Sequence, residues 1–198
     1  LLGTSSTETL ASVANDFPEV ESSTRIILQS GFWQIGVSNR VQIRLETQRG
    51  GSLVFREENG AYADPNLFTF FSIPLLDGEP ETVLRGANHV ALSQSTAEKY
   101  FGEVSPVGQL LTLNDSVTLS VSGVFEDLPS NTHLKFDFVI SNGGIVNKWD
   151  AGYPWATNYI KLVHPNFNDF ENRVNDPSRG YLSEIKRMFP NTQCRFFV

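Results

Sequence analysis

The feature that most constrains the fold is a series of alternating apolar and polar residues between positions 107 and 140. Apolar side chains alternate over 111–113 and again over 117–121, and Asn114-Asp115 between them offers a turn. Two period-two segments joined by a short Asn/Asp turn are typical of a β-hairpin. A third alternation covers 134–140, so this part of the chain is predicted to be rich in strands.

Periodicity also predicts the remaining elements, since strands alternate and helices repeat every three or four residues. We expect strands at 24–29, 41–45, 52–56, 90–92, 158–163 and 192–198. We expect helices at 7–17, from the Asp64-Pro65 cap to Phe71, at 95–101 with Ser95 and Glu98 as a capping box, at 168–174 and at 182–189.

Charge and cysteine content exclude several classes of protein. The formal net charge is −7, and an acidic chain repels the phosphate backbone, so we expect no nucleic-acid partner. One cysteine, Cys194, allows neither an internal disulfide nor a thiolate zinc cluster. No apolar run reaches the roughly 18 residues that cross a bilayer. The start at Leu1 suggests a fragment or a processed form.

Motifs that carry catalytic chemistry are missing from the sequence. His89, His133 and His164 lie far apart, without a second ligand type at metal spacing. Carboxylate pairs such as Glu57-Glu58 and Glu126-Asp127 are usually solvated surface. The chain has no nucleophile elbow, phosphate-binding loop or dinucleotide fingerprint. We therefore predict no catalytic residue, no metal and no cofactor.

Two features near the middle of the chain suggest movement or binding. The run Ser141-Asn142-Gly143-Gly144 is typical of a linker, and we predict a hinge at Gly143 and Gly144. Trp149, Tyr153 and Trp155 then cluster in a turn-like stretch. These aromatic residues could stack on a sugar, as in carbohydrate-binding modules, or seal the seam between two subdomains. Their turn-like setting beside a strand favours the seam.

Four longer segments, at 62–78, 90–102, 106–108 and 121–138, share their order and spacing with a known family. The positions that carry the pattern are Asp64, Pro65, Phe68, Tyr100, Phe101, Gly102, Pro106, Gly108, Gly123, Asp127, Pro129, His133 and Phe136. Together they resemble the MacB-like periplasmic core domain of ABC-transporter permeases, within the MacB/FtsX/LolC-type permease superfamily. The resemblance is strongest over about residues 55–140.

The residues of this pattern have structural roles. Asp64-Pro65 is expected to begin a helix, and Gly102 is expected to end one. Gly108 and Gly123 suit turns or bulges in strands, and Phe136 is one of several aromatic residues that fill a core. None of these roles is catalytic, so the resemblance implies a protein that is not an enzyme.

The resemblance implies an α+β fold with two lobes. A porter-like lobe, of the split βαβ or ferredoxin-like type, would combine residues 1–58 and 150–198. A mixed α/β lobe would be inserted at 59–145. The family has one more strand before residue 1 and more chain after residue 198, so we expect a porter-like lobe that is truncated at both ends.

The resemblance further implies a mechanical function on the periplasmic side of the inner membrane. The partners would be the permease's own transmembrane helices, a second permease copy, a cytoplasmic ATP-binding subunit, and a periplasmic adaptor or lipoprotein. ATP hydrolysis would drive the export or extraction of a peptide, antibiotic, toxin or lipoprotein. The alternatives are a free-standing sugar- or peptide-binding module and a hydrolase with a composite carboxylate site.

Overall fold

A computed structural model describes residues 3–4, 16–29, 40–46, 50–142, 157–163, 167–174 and 176. The chain divides into two units. Unit 1 comprises Leu1–Ile26 and Asn147–Val198, and unit 2 comprises Ile27–Val146. No helix among the residues described above is long and apolar enough to cross a membrane.

The described elements mix strands with a few short helices, which confirms the predicted α+β class. In chain order they are β1 Gly3–Thr4, β2 Val20–Leu28, β3 Val41–Glu46, β4 Ser52–Glu57, β5 Gly60–Ala63, α1 Leu67–Phe71, β6 Leu75–Asp77, β7 His89–Ser93, α2 Gln94–Phe101, β8 Leu110–Leu113, β9 Val117–Phe125, β10 Phe138–Ser141, β11 Thr157–Leu162 and α3 Phe167–Val174.

Unit 1 contains an antiparallel set of strands in which β11 lies between β1 and β2. Its described core joins Phe17 to Ile160 of β11 and to Phe170 and Val174 of α3. The Phe17 and Phe170 rings meet edge to face with centroids 5.1 Å apart. The predicted apolar face of Phe170 and Val174 is thus confirmed, because residues four apart share one face of a helix.

Unit 2 contains a mixed sheet with the strand order β5-β10-β7-β9-β8-β3-β4, and β6 adds to β9. The β5–β10 and β7–β9 pairs are parallel, whereas β10–β7, β9–β8, β8–β3 and β3–β4 are antiparallel. The boundary that we predicted at residue 58 falls inside this unit, since β3 and β4 hydrogen-bond into its sheet through β8. The assignment of a porter-like and an inserted lobe stays a prediction.

The predicted hairpin is confirmed as β8–β9. Leu113 pairs with Val117, and the turn residues Asn114 and Asp115 have φ of 49° and 56°. Asn and Asp tolerate this left-handed region better than other residues with a side chain. The Asn114 Oδ1 also accepts a hydrogen bond from the backbone N–H of Gln42 at 2.9 Å, so the turn is fastened to β3.

β9 contains a bulge at the point where the β6 backbone packs closely against it. Val90 pairs with Val121 and Ala91 pairs with Gly123, so one extra residue of β9 lies between these two pairs. A Cβ at Gly123 would lie 2.7 Å from Val83 Cγ2 and 2.8 Å from the backbone oxygen of Asp77. Glycine is therefore required at position 123, the predicted bulge, because Val83 and the backbone of Asp77 lie close to its Cα.

Several boundaries differ from the sequence-based predictions. The α1 helix begins at Leu67 and not at Pro65, because the Asp64 carbonyl first accepts from the Leu67 N–H in a turn. Leu75–Asp77 form β6, where the sequence predicted no strand. The predicted capping box of Ser95 and Glu98 is wrong, since Ser93 caps α2. Of the alternation at 134–140, only residues from Phe138 onward form a strand. The predicted elements at 182–189 and 192–198, and most of 7–17, lie outside the described residues.

Candidate functional site

The N-terminus of α2 is held by two side chains. Ser93 has extended backbone angles, and its Oγ accepts from the Thr96 N–H at 3.3 Å, which is the usual geometry of an N-cap. Asp127 approaches from the segment after β9 and accepts from the Ser95 N–H at 3.1 Å and from the Ser95 hydroxyl. These hydrogen bonds, chiefly the one from the hydroxyl, lower the pKa of the Asp127 carboxyl below its ordinary value.

The other end of α2 is joined to β4 through a buried carboxylate. The Glu57 side chain is only 9% exposed, and its Oε1 accepts from Lys99 Nζ at 2.6 Å and from the Tyr100 hydroxyl at 2.9 Å. The Tyr100 ring stacks on Phe55 with centroids 4.3 Å apart. Burial raises the pKa of the Tyr100 hydroxyl, and the negative charge of Glu57 raises it further. The hydroxyl thus stays a hydrogen-bond donor.

The aromatic motif residues pack in unit 2. Phe68 of α1 and Phe136 lie on either side of Phe125, with centroid distances of 5.5 and 5.7 Å. Phe68 and Phe136 are both buried, as is Tyr100, whereas Phe101 is partly buried against the core of the sheet. The described positions agree with their expected roles as core residues.

Gly123 lies in the β9 bulge, whereas the other glycines and the prolines of the motif lie in turns or at the ends of elements. Gly102 follows α2 with φ of 61°, and its N–H donates to the Glu98 carbonyl. Gly108 has φ of 86°, and its N–H donates to Val121. Pro106 accepts from the Gln109 N–H, and Pro129 accepts from the Thr132 N–H, so both lie in turns. His133, in the turn that follows, is exposed.

The two carboxylates of each pair that the sequence singled out have different environments. Glu57 is buried against Lys99, while its neighbour Glu58 is exposed and forms an ion pair with Arg40. Asp127 binds Ser95, and Glu126 is exposed.

The histidines do not form a metal site in the described part of the chain. His89, the first residue of β7, has its Nδ1 3.2 Å from the Val83 carbonyl and 3.3 Å from the Gly86 nitrogen. No group of three or more metal-binding side chains occurs among the residues that the structure describes. His164 lies outside them.

A shallow groove of about 320 Å³ opens on the surface of unit 2, where β6, α2 and the loop after α2 meet. Leu76 and Val104 contribute large apolar side chains that are 51% and 55% exposed. The side chains that shape the groove are those of Leu76, Asp77, Ala97, Glu98, Glu103 and Val104. Its apolar part, Leu76 and Val104, and its exposed acidic rim, Asp77, Glu98 and Glu103, make it a candidate binding surface.

The predicted hinge and the predicted aromatic cluster are described only in part. Ser141 and Asn142 are buried, and they bind Leu84 and Asp64. Gly143 and Gly144 lie outside the described residues, as do the aromatic residues Trp149, Tyr153 and Trp155. The hinge and the seam therefore stay predictions.

Comparison with known proteins decides the family. The sequence profile of the MacB-like periplasmic core domain matches residues 3–165, most of the chain. The chain belongs to this family. It is accordingly a periplasmic domain of the MacB-like ABC-transporter permeases, which implies a position on the extracytoplasmic side of a membrane and a permease that works with an ATPase subunit. No curated protein sequence matches the chain.

Solved structures show the same fold at low sequence identity. A domain assigned to a permease of Porphyromonas gingivalis aligns with a TM-score of 0.66 and 19% identity, over 94% of this chain and 77% of that one. The periplasmic region of MacB from Actinobacillus actinomycetemcomitans aligns with a TM-score of 0.66 and 16% identity, over 96% and 85%. The extracellular domain of the noncanonic ABC-type transporter YknZ from Gram-positive bacteria aligns with a TM-score of 0.57 and 12% identity, over 88% and 84%.

Sequence reasoning missed the residues that join distant segments. Glu57 and Lys99 are 42 positions apart, and Ser95 and Asp127 are 32 apart, so no local period connects them. Asp127 was noticed as part of the family pattern and of a carboxylate pair, but its bond to Ser95 was not predicted. The groove was missed because Leu76 and Val104 are far apart in the sequence, so no local pattern indicates that they line one surface.

Proposed function

We propose that this domain transmits mechanical movement from an ATP-driven permease to a substrate or an envelope partner. Membership in the MacB-like periplasmic core domain family, over residues 3–165, is the observation that carries the proposal. In the described residues, buried polar side chains such as Glu57, Ser93 and Ser141 bind other side chains or the backbone, as in a structural domain. Such a domain would function by moving and by contacting a substrate or an envelope partner.

The interior of unit 2 supports movement as a rigid body. The core of its sheet is formed by fully buried aliphatic and aromatic side chains, including Val90, Leu111 and Ile140. Well-packed interiors of this kind have low compressibility and transmit strain. Glu57 with Lys99, and Asp127 with Ser95, fix both ends of α2 to the sheet and its connections. Deformation should therefore concentrate in the connections that leave the unit.

We propose Gly143 and Gly144, shortly before unit 2 ends at Val146, as the pivot. The chain before them is fixed, since the Ser141 hydroxyl donates to the Leu84 carbonyl at 2.6 Å and Asn142 Nδ2 donates to Asp64 Oδ1 at 3.2 Å. The two glycines that follow have no Cβ and can adopt backbone angles that other residues avoid. A pivot at this point would begin immediately after the last anchored side chain.

The remaining parts of the proposal concern partners and cargo. The domain would be connected to the permease's own transmembrane helices and would act beside a second permease copy. A cytoplasmic ATP-binding subunit would drive it, and a periplasmic adaptor or a lipoprotein would receive the movement. The cargo class that we propose is an exported or extracted peptide, antibiotic, toxin or lipoprotein.

The test measures a distance between the two units in the complete permease, reconstituted in lipid nanodiscs with its ATPase subunit. Cys194→Ser removes the natural cysteine, and spin labels are attached at Glu81→Cys in unit 2 and at Asn172→Cys in unit 1, both of which are exposed. We expect the distance distribution to change when ATP is bound and to return after hydrolysis. Gly143→Pro with Gly144→Pro should suppress the change, because proline fixes φ.

A control permease labelled at Glu81→Cys and Asn131→Cys, two exposed positions within unit 2, should show one distance in all states. If the distance between units is the same with and without ATP, the mechanical proposal is wrong. If it changes equally in the proline variant, the domain moves but the pivot lies elsewhere.

A further inference from the structure

The groove described above lies entirely within unit 2, so its shape is set by one packed sheet and one helix. Its sides are β6 and α2, and the loop from Gly102 to Pro106 closes one end. The β6 side is fixed by its pairing with β9, and Ala97 of α2 is buried. The groove is therefore a feature of the folded unit.

The apolar part of the groove is unusually exposed. Leu76 and Val104 are among the most exposed large hydrophobic side chains of the described residues, at 51% and 55%, and both line this one groove. Single exposed apolar residues are normal on protein surfaces, but apolar residues together in a concave site with a polar rim indicate binding. A partner that covers both would remove their apolar area from water.

The rim of the groove carries charge of one sign. Asp77, Glu98 and Glu103 are all exposed and line it, whereas no lysine, arginine or histidine does. Over the ranges that the structure describes, none of these three carboxylates takes part in an ion pair, and Glu98 accepts only a neutral hydrogen bond, from Gln94 at 3.0 Å. Their charge remains available for a cationic partner.

We propose that this groove binds a polypeptide segment in which lysine or arginine alternates with large apolar residues. In an extended segment the apolar side chains on one side can contact Leu76 and Val104. The long, flexible stems of lysine and arginine can then carry their charges sideways to the carboxylates of the rim. Anionic lipid and nucleic acid do not fit, because three carboxylates would repel their phosphates. The inference is independent of ATP coupling, since it requires only the folded domain.

The probe is the acetylated and amidated peptide Lys-Leu-Lys-Leu-Lys, whose three positive charges match the three carboxylates. It is titrated into the 198-residue chain, with amide NMR shifts to locate the site and calorimetry to measure Kd. We expect shifts at Leu76, Glu98 and Val104. Raising the salt from about 0.05 to about 0.5 M should weaken binding several-fold, because the Debye length falls well below 10 Å.

Two groove variants separate the charged contribution from the apolar one. Glu98→Gln with Glu103→Gln should raise Kd about fourfold, because each exposed ion pair contributes roughly a factor of two. Leu76→Ser should raise Kd about fivefold, because it removes part of the apolar contact. Neither variant changes a buried residue, so both should keep the thermal midpoint of the parent chain.

Matched controls carry the same chemical changes outside the groove. Glu81→Gln with Glu126→Gln removes two exposed carboxylates, and Leu110→Ser removes a side chain that is 59% exposed. These variants should leave Kd unchanged. A probe in which glutamate replaces lysine should show no detectable binding. The proposal is overturned if the lysine peptide does not bind, or if groove and control variants weaken binding equally. The second result would mean general attraction to an acidic surface. Shifts confined to another surface would equally overturn it.

Discussion

Gly123→Ala tests whether β6 is held against β9 by close packing of the backbone. The added methyl would lie 2.7 Å from Val83 Cγ2 and 2.8 Å from the Asp77 backbone oxygen. Val83 is 2% exposed and cannot swing into water, and the Asp77 oxygen belongs to a strand paired with β9. Overpacking that the surroundings cannot relieve costs about 3 kcal/mol, the upper part of the usual range.

The assay is thermal and urea unfolding of the 198-residue chain, with hydrogen exchange of β9 amides to assign the loss to unit 2. A loss of ~3 kcal/mol corresponds to a midpoint about 6–12 °C lower for a chain of this size. The matched control is Gly108→Ala, where a Cβ meets nothing within 4 Å but φ is 86°. That control measures backbone strain alone, at about 1 kcal/mol.

The reasoning is refuted if Gly123→Ala unfolds at the same midpoint as Gly108→Ala or above it. The two substitutions add the same methyl group, so a larger loss at Gly123 than at Gly108 means that the close contacts cost more than the backbone strain of the control. Faster hydrogen exchange at the backbone amides of both β9 and β6 would confirm that the two strands separate together.

Three further predictions concern single side chains. Tyr100→Phe keeps the stacked ring but removes a hydrogen-bond donor from the buried Glu57 carboxylate. Urea unfolding should therefore show a free energy of unfolding lower by about 2 kcal/mol. An unchanged midpoint would mean that Lys99 alone satisfies the carboxylate. Ser72 has φ of 52°, so Ser72→Gly should stabilise the chain by about 1 kcal/mol in the same assay, and a loss would contradict the strain. The lowered pKa of Asp127 stabilises the fold above the unfolded pKa of about 4, and this contribution disappears as pH falls through the folded pKa. Ser95→Ala should therefore raise the Asp127 pKa in an NMR titration and move acid unfolding to higher pH, whereas an unchanged pKa would show that the hydroxyl is not its cause.

Elements with a strong local period were predictable from the sequence. The β8–β9 hairpin follows from alternation around Asn114-Asp115, since this alternation and turn chemistry act within a few residues. The α3 helix follows from Phe170 and Val174 on one face. The family was also recognisable, because its pattern combines helix ends, turns and core positions whose spacing is fixed by this fold.

Features that depend on distant segments were not predictable in the same way. β6 is three residues long and mostly exposed, so it has no alternation, and it is a strand only because β9 pairs with it. Ser93 and Ser95 both suit an N-cap, and the choice of Ser93 depends on where β7 ends. Glu57 looked like a solvated neighbour of Glu58 until the sheet placed Lys99 and Tyr100 beside it.

The position of β10 within its sheet bears on how unit 2 resists tension. This strand is the last described one before the chain leaves the unit, and it lies between β5, to which it is parallel, and β7, to which it is antiparallel. A load applied at its C-terminal end acts along the strand, so the hydrogen bonds to both neighbours are sheared together and do not open one by one. A strand at an edge would peel away from a single neighbour. In a single-molecule pulling experiment, unit 2 should therefore yield at high force, after the segments outside its sheet have extended.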